Sequence, residues 1–184
     1  MKVLYAIQGT GNGHICRARD IIPILQKKVE LGILISGTQV DIDLPCEVNY
    51  KFKGLSCIFE KKEGVNLFDT WKKNKIRRFF KEVKSVPVQK YDLVINDFES
   101  VSAWACQQKK VPCISLSHQS AVLSKNAPRT KHLDPVGKHI LKYYAPSNKH
   151  LGFHFKRYNK KTFTPIIREE IRQGKISNKE HYTC

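Results

Sequence analysis

Long apolar runs, paired cysteines and acidic residues are all scarce in this chain. No stretch reaches the about 18 consecutive apolar residues that a membrane-spanning helix needs, and no hydrophobic signal segment precedes the first glycines. The six cysteines are scattered without a C-x-x-C pair, which argues against a zinc knuckle or a disulfide framework and favours a reducing cytoplasm. We therefore expect a cytoplasmic protein that contacts membranes at most peripherally, with cysteines that pack as small core residues.

Acidic side chains are outnumbered by basic ones. The 184 residues contain 33 Lys and Arg against 16 Asp and Glu, a formal net charge of +17. This charge favours anionic partners, whether nucleic acid, an acidic lipid surface or a phosphorylated substrate. Nucleic-acid-binding proteins usually show a recognition helix or a base-stacking aromatic strand. The sequence shows neither pattern, so nucleic acid is the less favoured partner.

The first twenty residues organise the chain. A β-branched and aromatic run at 3–7 leads into glycines at 9, 11 and 13, and apolar residues then recur at helical spacing from Ile15 to Leu25. The pattern predicts strand, tight turn and helix, and Pro23 is expected to kink the helix or end it early. Because the start of a helix attracts anions, the turn is either a phosphate-binding loop or a tight turn that binds nothing.

The glycine spacing argues against a dinucleotide site. The G-x-G-x-x-G fingerprint needs glycine where His14 stands, and an acidic residue about 20 residues further on. The chain has Ile-Ser-Gly-Thr at 35–38 instead. NAD and FAD are therefore disfavoured.

Strands alternate with helices along the rest of the chain. Strands are predicted at 31–36, 47–52, 55–59, 91–96, 111–116, 150–155 and 162–167, helices at 66–84, through 104–106 and at 137–145, and a long loop at 124–136. This alternation predicts an α/β fold with a mostly parallel sheet and right-handed crossovers.

The predicted helix at 66–84 is basic and amphipathic, with Asn66 placed to cap it. Apolar side chains mark one face, and seven Lys or Arg residues crowd the other sides. A core-packed helix with a solvated basic face is the favoured interpretation. The alternative is a helix that lies on an acidic membrane surface.

Polar residues follow several predicted strands, at the edge where parallel sheets bind ligands. They are 8–14, 37–38, 97–100 and 117–120. His14 falls in the first helical turn, where the helix dipole favours neutral imidazole, the form that a general base needs. Asp97 is placed to orient it, as in a catalytic triad. Each group also has a structural explanation: His14 and His118 as hydrogen-bonding residues, and Asp97 or Glu99 at the start of the next helix.

A metal site is not predicted. His150 and His154 share a strand face, but no third ligand stands at a suitable spacing.

Several of these motifs together resemble a known family. Residues 3–18 (Val-Leu-Tyr-Ala-Ile-Gln-Gly-Thr-Gly-Asn-Gly-His-Ile-Cys-Arg-Ala), 97–99, 117–119 and 163–168 resemble the amino-terminal half of two-domain, GT-B-type glycosyltransferases. Within that family the chain is similar to bacterial and archaeal members related to the N-acetylglucosaminyltransferase of peptidoglycan synthesis. It covers almost the whole chain. It implies a Rossmann-like three-layer domain that holds the acceptor, facing a second domain that holds a nucleotide-sugar donor such as a UDP-sugar.

The resemblance also implies roles for individual residues. Gly11, Asn12 and Gly13 would face the cleft near the acceptor and the donor diphosphate, and His14 would take the proton of the acceptor hydroxyl, with Asp97 as the second catalytic residue. The remaining substrate-binding residues would be Arg17, Glu99, His118, Gln119 and Ser120. These enzymes generally need no bound metal, and no cofactor is implied.

The resemblance divides the chain into an acceptor-side domain, 1–168, and a linker with the start of a second domain, 169–184. We expect a fragment, a truncated reading frame or a subunit of a split enzyme, with negligible transferase activity on its own. The complete inverting enzyme would transfer a hexose or N-acetylhexosamine to a glycan or lipid-linked acceptor of the cell envelope. It would work in the cytoplasm or on the inner face of the plasma membrane, where its charge meets anionic lipid. The alternative is a basic, non-enzymatic nucleic-acid-binding or interaction subunit.

Overall fold

The computed structural model describes residues 1–39, 41–55, 59–60, 64–65, 76–128 and 135–174. The strands are β1 (Lys2–Gln8), β2 (Glu30–Ser36), β3 (Tyr50–Phe52), β4 (Phe59–Glu60), β5 (Gly64–Val65), β6 (Leu93–Asp97), β7 (Cys113–Ser117), β8 (Lys149–Phe153) and β9 (Thr162–Phe163). The helices are α1 (Asn12–Gln26), α2 (Ile76–Ser85), α3 (Ser100–Lys109), α4 (His118–Val122), α5 (Pro135–Tyr143) and α6 (Glu169–Gln173), with a 3-10 turn at Val88–Lys90.

A parallel sheet of seven strands forms the centre of the domain, in the order β3-β2-β1-β6-β7-β8-β9. The chain builds outward from β1 through β2 to β3, and then crosses back so that β6 pairs with the other side of β1. This reversal leaves a crevice beyond the carboxyl ends of β1 and β6, where open α/β sheets bind their ligands. The predicted α/β fold with a mostly parallel sheet is confirmed.

Alternate residues of β1 pack into two apolar layers, one on each face of the sheet. Leu4 and Ala6 pack with residues of α2 and α3, whereas Tyr5 and Ile7 pack with residues of α1. A strand that is buried on both faces needs apolar residues at consecutive positions, which explains the unbroken run at 3–7. Helices on both sides of one sheet give the three layers that the resemblance implied.

Helix α1 continues to Gln26 with Pro23 inside it, so the expected early end does not occur. Pro23 lies on the exposed side of the helix. Water can therefore donate a hydrogen bond to the backbone carbonyl that loses its N–H partner to the proline. This lowers the free-energy cost of having proline inside the helix.

Several predicted strands are shorter than expected. β3 begins only at Tyr50, and Leu55 lies outside any strand. β4 pairs antiparallel with β5 in a separate two-stranded sheet. β9 ends at Phe163, two residues before Pro165, which has no N–H to donate to a ladder.

The predicted helix at 66–84 is described only from Ile76 onward, as α2, and Asn66 lies outside the described residues. Phe79 and Val83 are buried as expected, whereas Phe80 is exposed. Helices α4 and α6 were not predicted. The predicted loop at 124–136 is described only at 124–128 and 135–136, and its last two residues belong to α5.

The cysteines divide into two groups. Cys106 and Cys113 lie in the core, as predicted, but Cys16 and Cys46 are only partly buried. Cys57 and Cys184 lie outside the described residues. Within the described ranges, no helix combines the length and apolar character that crossing a bilayer requires.

The carboxyl-terminal part of the described chain returns to α1. Ile166 packs against the apolar layer that contains Ile15 and Ile21, whereas α6 buries none of its residues. The boundary placed at residue 168 stays a prediction.

Gly152 tests the close contact between α4 and β8. A Cβ atom at this position would lie 2.4 Å from the backbone nitrogen of Ala121 and 2.5 Å from its Cα. Because backbone atoms cannot move aside cheaply, we expect Gly152→Ala to lower the free energy of unfolding by about 1–3 kcal/mol, as overpacking does. Urea denaturation measures this loss. Gly11→Ala is the control, since nothing lies within 4 Å of its added Cβ; equal losses in the two variants would contradict the close packing.

Candidate active site

Asp97, the last residue of β6, is the centre of a buried polar cluster. Its side chain is 0% exposed, and its Oδ1 lies 2.9 Å from Nδ1 of His14. Arg17 donates from Nη2 to both carboxylate oxygens at 2.7 Å and from Nε to Oδ2 at 3.1 Å. The structure thus brings together the two residues that the sequence paired, and adds a full positive charge to them.

Local geometry explains why these side chains meet. His14 and Arg17 stand three residues apart on α1 and so project from the same face of the helix. Asp97 pairs in register with Ile7 at the end of β1, directly before the loop that leads into α1. Phe98 then turns the chain with a φ of 57°, a conformation that is uncommon for a bulky residue. This turn separates Asp97, which reaches α1, from Glu99, which reaches α3.

The contact with Asp97 decides which nitrogen of His14 faces the carboxylate. A carboxylate oxygen can only accept, so Nδ1 of His14 is the donor in the 2.9 Å contact with Asp97. Nη2 of Arg17 lies 3.1 Å from the same Nδ1, farther than its 2.7 Å contacts with Asp97. The His14 side chain is 17% exposed. Because Nδ1 faces a buried carboxylate, Nε2 is the ring nitrogen left to meet a ligand.

The loop before α1 is anchored at one glycine and open at two others. Gly9 donates to the carbonyl of Ser36 at 2.6 Å, and a Cβ on Gly37 would lie 2.1 Å from the Gly9 oxygen. In contrast, a Cβ on Gly11 or Gly13 would meet nothing within 4 Å. The packing of the described residues therefore does not require glycine at 11 or 13, and the space beside both is open.

The start of α1 suits an anion. Gly11 stands at its N-cap without a side-chain capping bond, and the first turn contains no acidic residue. Asn12 instead uses its Oδ1 to accept from the backbone N–H of Asp41 at 3.2 Å. Among the described residues, no side chain caps the first N–H groups of this helix. These groups have the orientation that binds phosphate groups in other proteins.

Glu99 lies in the interior rather than on the acceptor side where the resemblance placed it. It is 0% exposed, and it caps α3 by accepting from the backbone N–H groups of Val101 at 2.5 Å and Ser102 at 2.7 Å. Ser36 donates to it as well, at 2.5 Å. Burial raises the pKa of Glu99, and these hydrogen bonds oppose that rise. The capping role considered for Asp97 therefore belongs to Glu99.

The three substrate-binding candidates at the start of α4 differ in exposure. His118 is exposed, and its Nδ1 donates to the carbonyl of Phe153 at 2.9 Å. Partial desolvation of the ring and the charge of Arg17 lower the pKa of His118, which favours neutral imidazole. Gln119 is partly buried, and its Oε1 has no hydrogen-bond partner among the described residues. Ser120 is buried and bonds to the hydroxyls of Ser115 and Ser117, which does not support the expected substrate contact.

Sequence analysis did not predict that two tyrosines, Tyr5 and Tyr144, would interact with residues of this site. Tyr5 is fully buried, and burial together with the charge of Asp97 raises its pKa; its hydroxyl has no hydrogen-bond partner within the described residues. Tyr144 accepts from Nε2 of Gln8 at 2.9 Å and donates to the Leu55 carbonyl at 2.5 Å, while its ring stacks on Phe98 at 4.9 Å. Tyr5 stood in the apolar run, and Tyr144 followed a helix far from the motifs, so no local pattern marked either one.

No cluster of three or more His, Cys, Asp or Glu residues suited to a metal occurs in the described part of the chain. His150 contacts Ser147, and His154 contacts Tyr158. That the site needs no metal stays a prediction.

Comparison with known proteins gives a family and a fold. A model of the family described as Glycosyl transferase family 1 matches residues 1–183. The crystal structure of Acinetobacter baumannii MurG is similar with a TM-score of 0.50 and 10% identity, over 96% of this chain and 50% of that one. Phytolacca americana UGT2, solved with UDP-2-fluoro-glucose and pterostilbene, gives a TM-score of 0.43 and 11% identity, over 66% of this chain and 32% of that one. No curated protein sequence matches significantly. The chain spans about half the length of the MurG chain.

Glu99→Gln tests the buried cap. The substitution keeps the size of the side chain but turns an NH2 group toward the N–H of Val101 or Ser102, so a buried donor loses its acceptor. We expect the free energy of unfolding to fall by about 1–3 kcal/mol, measured by urea denaturation. Glu30→Gln is the matched control, since that carboxylate is 69% exposed in a surface pair with Lys2. A loss no larger than the control's would show that Glu99 does not stabilise α3 as described.

Proposed function

Because this chain belongs to Glycosyl transferase family 1, we propose that it is the acceptor-binding half of a nucleotide-sugar-dependent glycosyltransferase. The observation that carries this proposal is the pair of His14 and Asp97, 2.9 Å apart at the crevice where the strand order reverses. The fold similarity to half of the MurG chain supports a role as one of two halves.

The proposed reaction is a direct, inverting displacement. The oxygen of the acceptor hydroxyl group forms a bond to the anomeric carbon of the donor sugar, and the bond from that carbon to the nucleoside diphosphate breaks. Nε2 of His14 takes the hydroxyl proton, and Asp97 stabilises the imidazolium that forms. The proton ends on His14 and the bonding pair on the leaving diphosphate, so the step balances without another reactant.

The open start of α1 would bind the leaving nucleoside diphosphate. Gly11 and Gly13 leave room for a diphosphate, and the N–H groups of the first turn, with the helix dipole, stabilise its negative charge. This is the reason for proposing that the reaction needs no bound metal or other cofactor. Asn12 stands between the two glycines, and the exposed His118 and the partly buried Gln119 would contact the acceptor.

The donor and acceptor are proposed from charge and fold. A formal charge of +17 favours binding of a glycan acceptor on an anionic lipid carrier. The enzyme would bind this acceptor in the cytoplasm or at the inner face of the plasma membrane. The donor would be a UDP-sugar bound by a second half, in a longer chain or in a partner chain. We propose that residues 1–184 alone lack most of the donor affinity.

The decisive test uses the native enzyme, whose polypeptides are first identified by mass spectrometry. Transfer from a radiolabelled UDP-sugar to a lipid-linked acceptor is then compared between wild type and His14→Ala. Since the variant loses its proton acceptor, we expect turnover to fall by roughly 10²–10⁴-fold with an unchanged circular dichroism spectrum. His150→Ala is the control. His150 contacts Ser147 and lies near the amino end of β8, whereas the candidate site lies at the carboxyl ends of the strands.

Two results would contradict the proposal. Turnover that survives in His14→Ala with a small loss would remove the base assignment, and robust transfer by the 184 residues alone would remove the role of a separate donor half. Tight, salt-sensitive binding to DNA or RNA without any sugar transfer would favour the nucleic-acid-binding alternative.

Gly13→Ala separates stability from activity. Alanine is the better helix former, so we expect unfolding to require up to about 1 kcal/mol more free energy in the variant. The added methyl group fills space that we assign to the diphosphate, so the KM for the UDP-sugar should rise. Urea denaturation and initial rates measure the two effects. A variant that is both more stable and equally active would place the diphosphate elsewhere.

A further inference from the structure

We propose that Arg17 is a positioning residue of this site. Its guanidinium group holds the carboxylate of Asp97 in place, and so keeps the hydrogen of His14 on Nδ1 and leaves Nε2 to accept a proton. The chemical use of this arrangement rests on the proposed function, but the arrangement itself can be tested without any activity.

The contacts of Arg17 point inward. Its side chain is 9% exposed, and Nε and Nη2 both donate to Asp97, with contacts between 2.7 and 3.1 Å. Its Cζ atom also lies 5.7 Å from the ring centroid of Phe153, within the range of a cation–π contact. Contacts with Asp97 on one side and Phe153 on the other restrain the Arg17 side chain. A restrained side chain is suited to orienting its neighbours. Nε and Nη2 of Arg17 thus donate to Asp97, and the substrate contact that the resemblance implies for Arg17 stays a prediction.

Charge balance gives Arg17 its effect on His14. A fully buried carboxylate needs a positive partner, because an isolated buried charge is strongly unfavourable. In a pair made of His14 and Asp97 alone, protonation of His14 would supply that partner and would leave Nε2 occupied by a hydrogen. Arg17 carries a permanent charge and balances Asp97 by itself. His14 is then free to stay neutral, as a proton acceptor must.

The planar shape of the guanidinium adds orientation. A guanidinium binds a carboxylate through two nitrogens in one plane, which a lysine ammonium cannot do. With Asp97 fixed in this way, Oδ1 stays 2.9 Å from Nδ1 of His14 and holds the hydrogen on that nitrogen. An unrestrained carboxylate could rotate and release it. The arrangement therefore depends on both the charge and the shape of Arg17.

Nitrogen NMR of the imidazole rings tests this directly, in the 184-residue chain labelled with 15N-histidine. In wild type at neutral pH we expect His14 to show a protonated Nδ1 and an unprotonated Nε2. In Arg17→Met we expect this signature to be lost, either to imidazolium or to a mixture of tautomers. Arg19→Met is the matched control, because Arg19 is exposed on the same helix, and it should leave the His14 signals unchanged.

Arg17→Lys is included because Arg17→Met removes the permanent positive charge beside a buried carboxylate and can fail to fold. It keeps the charge but loses the planar fork, so we expect a mixture of His14 tautomers in a folded protein. In the complete enzyme it should lower kcat by roughly 100-fold, as a misplaced catalytic group does, with little change in KM. His14 signals like those of wild type in Arg17→Lys would overturn the inference, whether or not Arg17→Met folds.

Asp97→Asn separates this inference from the proposed function. If it disturbs the tautomer of His14 and the Arg17 variants do not, Arg17 has no positioning role while the pair of His14 and Asp97 stands. If the Arg17 variants disturb the tautomer but the complete enzyme works without His14, the positioning role stands and the proposed base is wrong.

Discussion

The burial of one carboxylate shapes this domain. Asp97 ends a strand in the middle of the sheet with no exposure to solvent, and such a charge is tolerated only with partners. Helix α1 supplies both of them from one face, one turn after the glycine loop. His14 and Arg17 both direct nitrogen atoms toward this carboxylate.

Sheet topology brings Asp97 close to His14 and Arg17. The chain leaves β1 in one direction and returns on its other side with β6, so the ends of these two strands meet beside the start of α1. Short-range contacts cannot achieve this, since His14 and Asp97 stand 83 residues apart. The same crevice contains the open space beside Gly11 and Gly13. His14 and the start of α1 thus lie together at the edge where parallel sheets bind ligands.

The strongest expectations from the sequence concerned fold and family. The resemblance to GT-B-type glycosyltransferases is confirmed by the family match over residues 1–183 and by the fold shared with MurG. The surroundings of two individual side chains differ from what was expected. Glu99 was expected beside an acceptor and caps a helix in the interior, and Ser120 bonds to neighbouring serines. A polar residue after a strand carries the same signal whether it faces solvent or the core, because that choice depends on what packs over it.

The sequence by itself determined the parallel sheet, the tight turn after β1 and the placement of His14 in the first turn of α1. These features follow from hydrophobic periodicity and from the conformational freedom of glycine, which act over a few residues. Only the tertiary structure decided the partners of each polar group: Arg17 on Asp97, Glu99 at the start of α3, and Tyr144 across the end of β1. Such pairings depend on burial and on strand order, and these arise only when distant parts of the chain pack together.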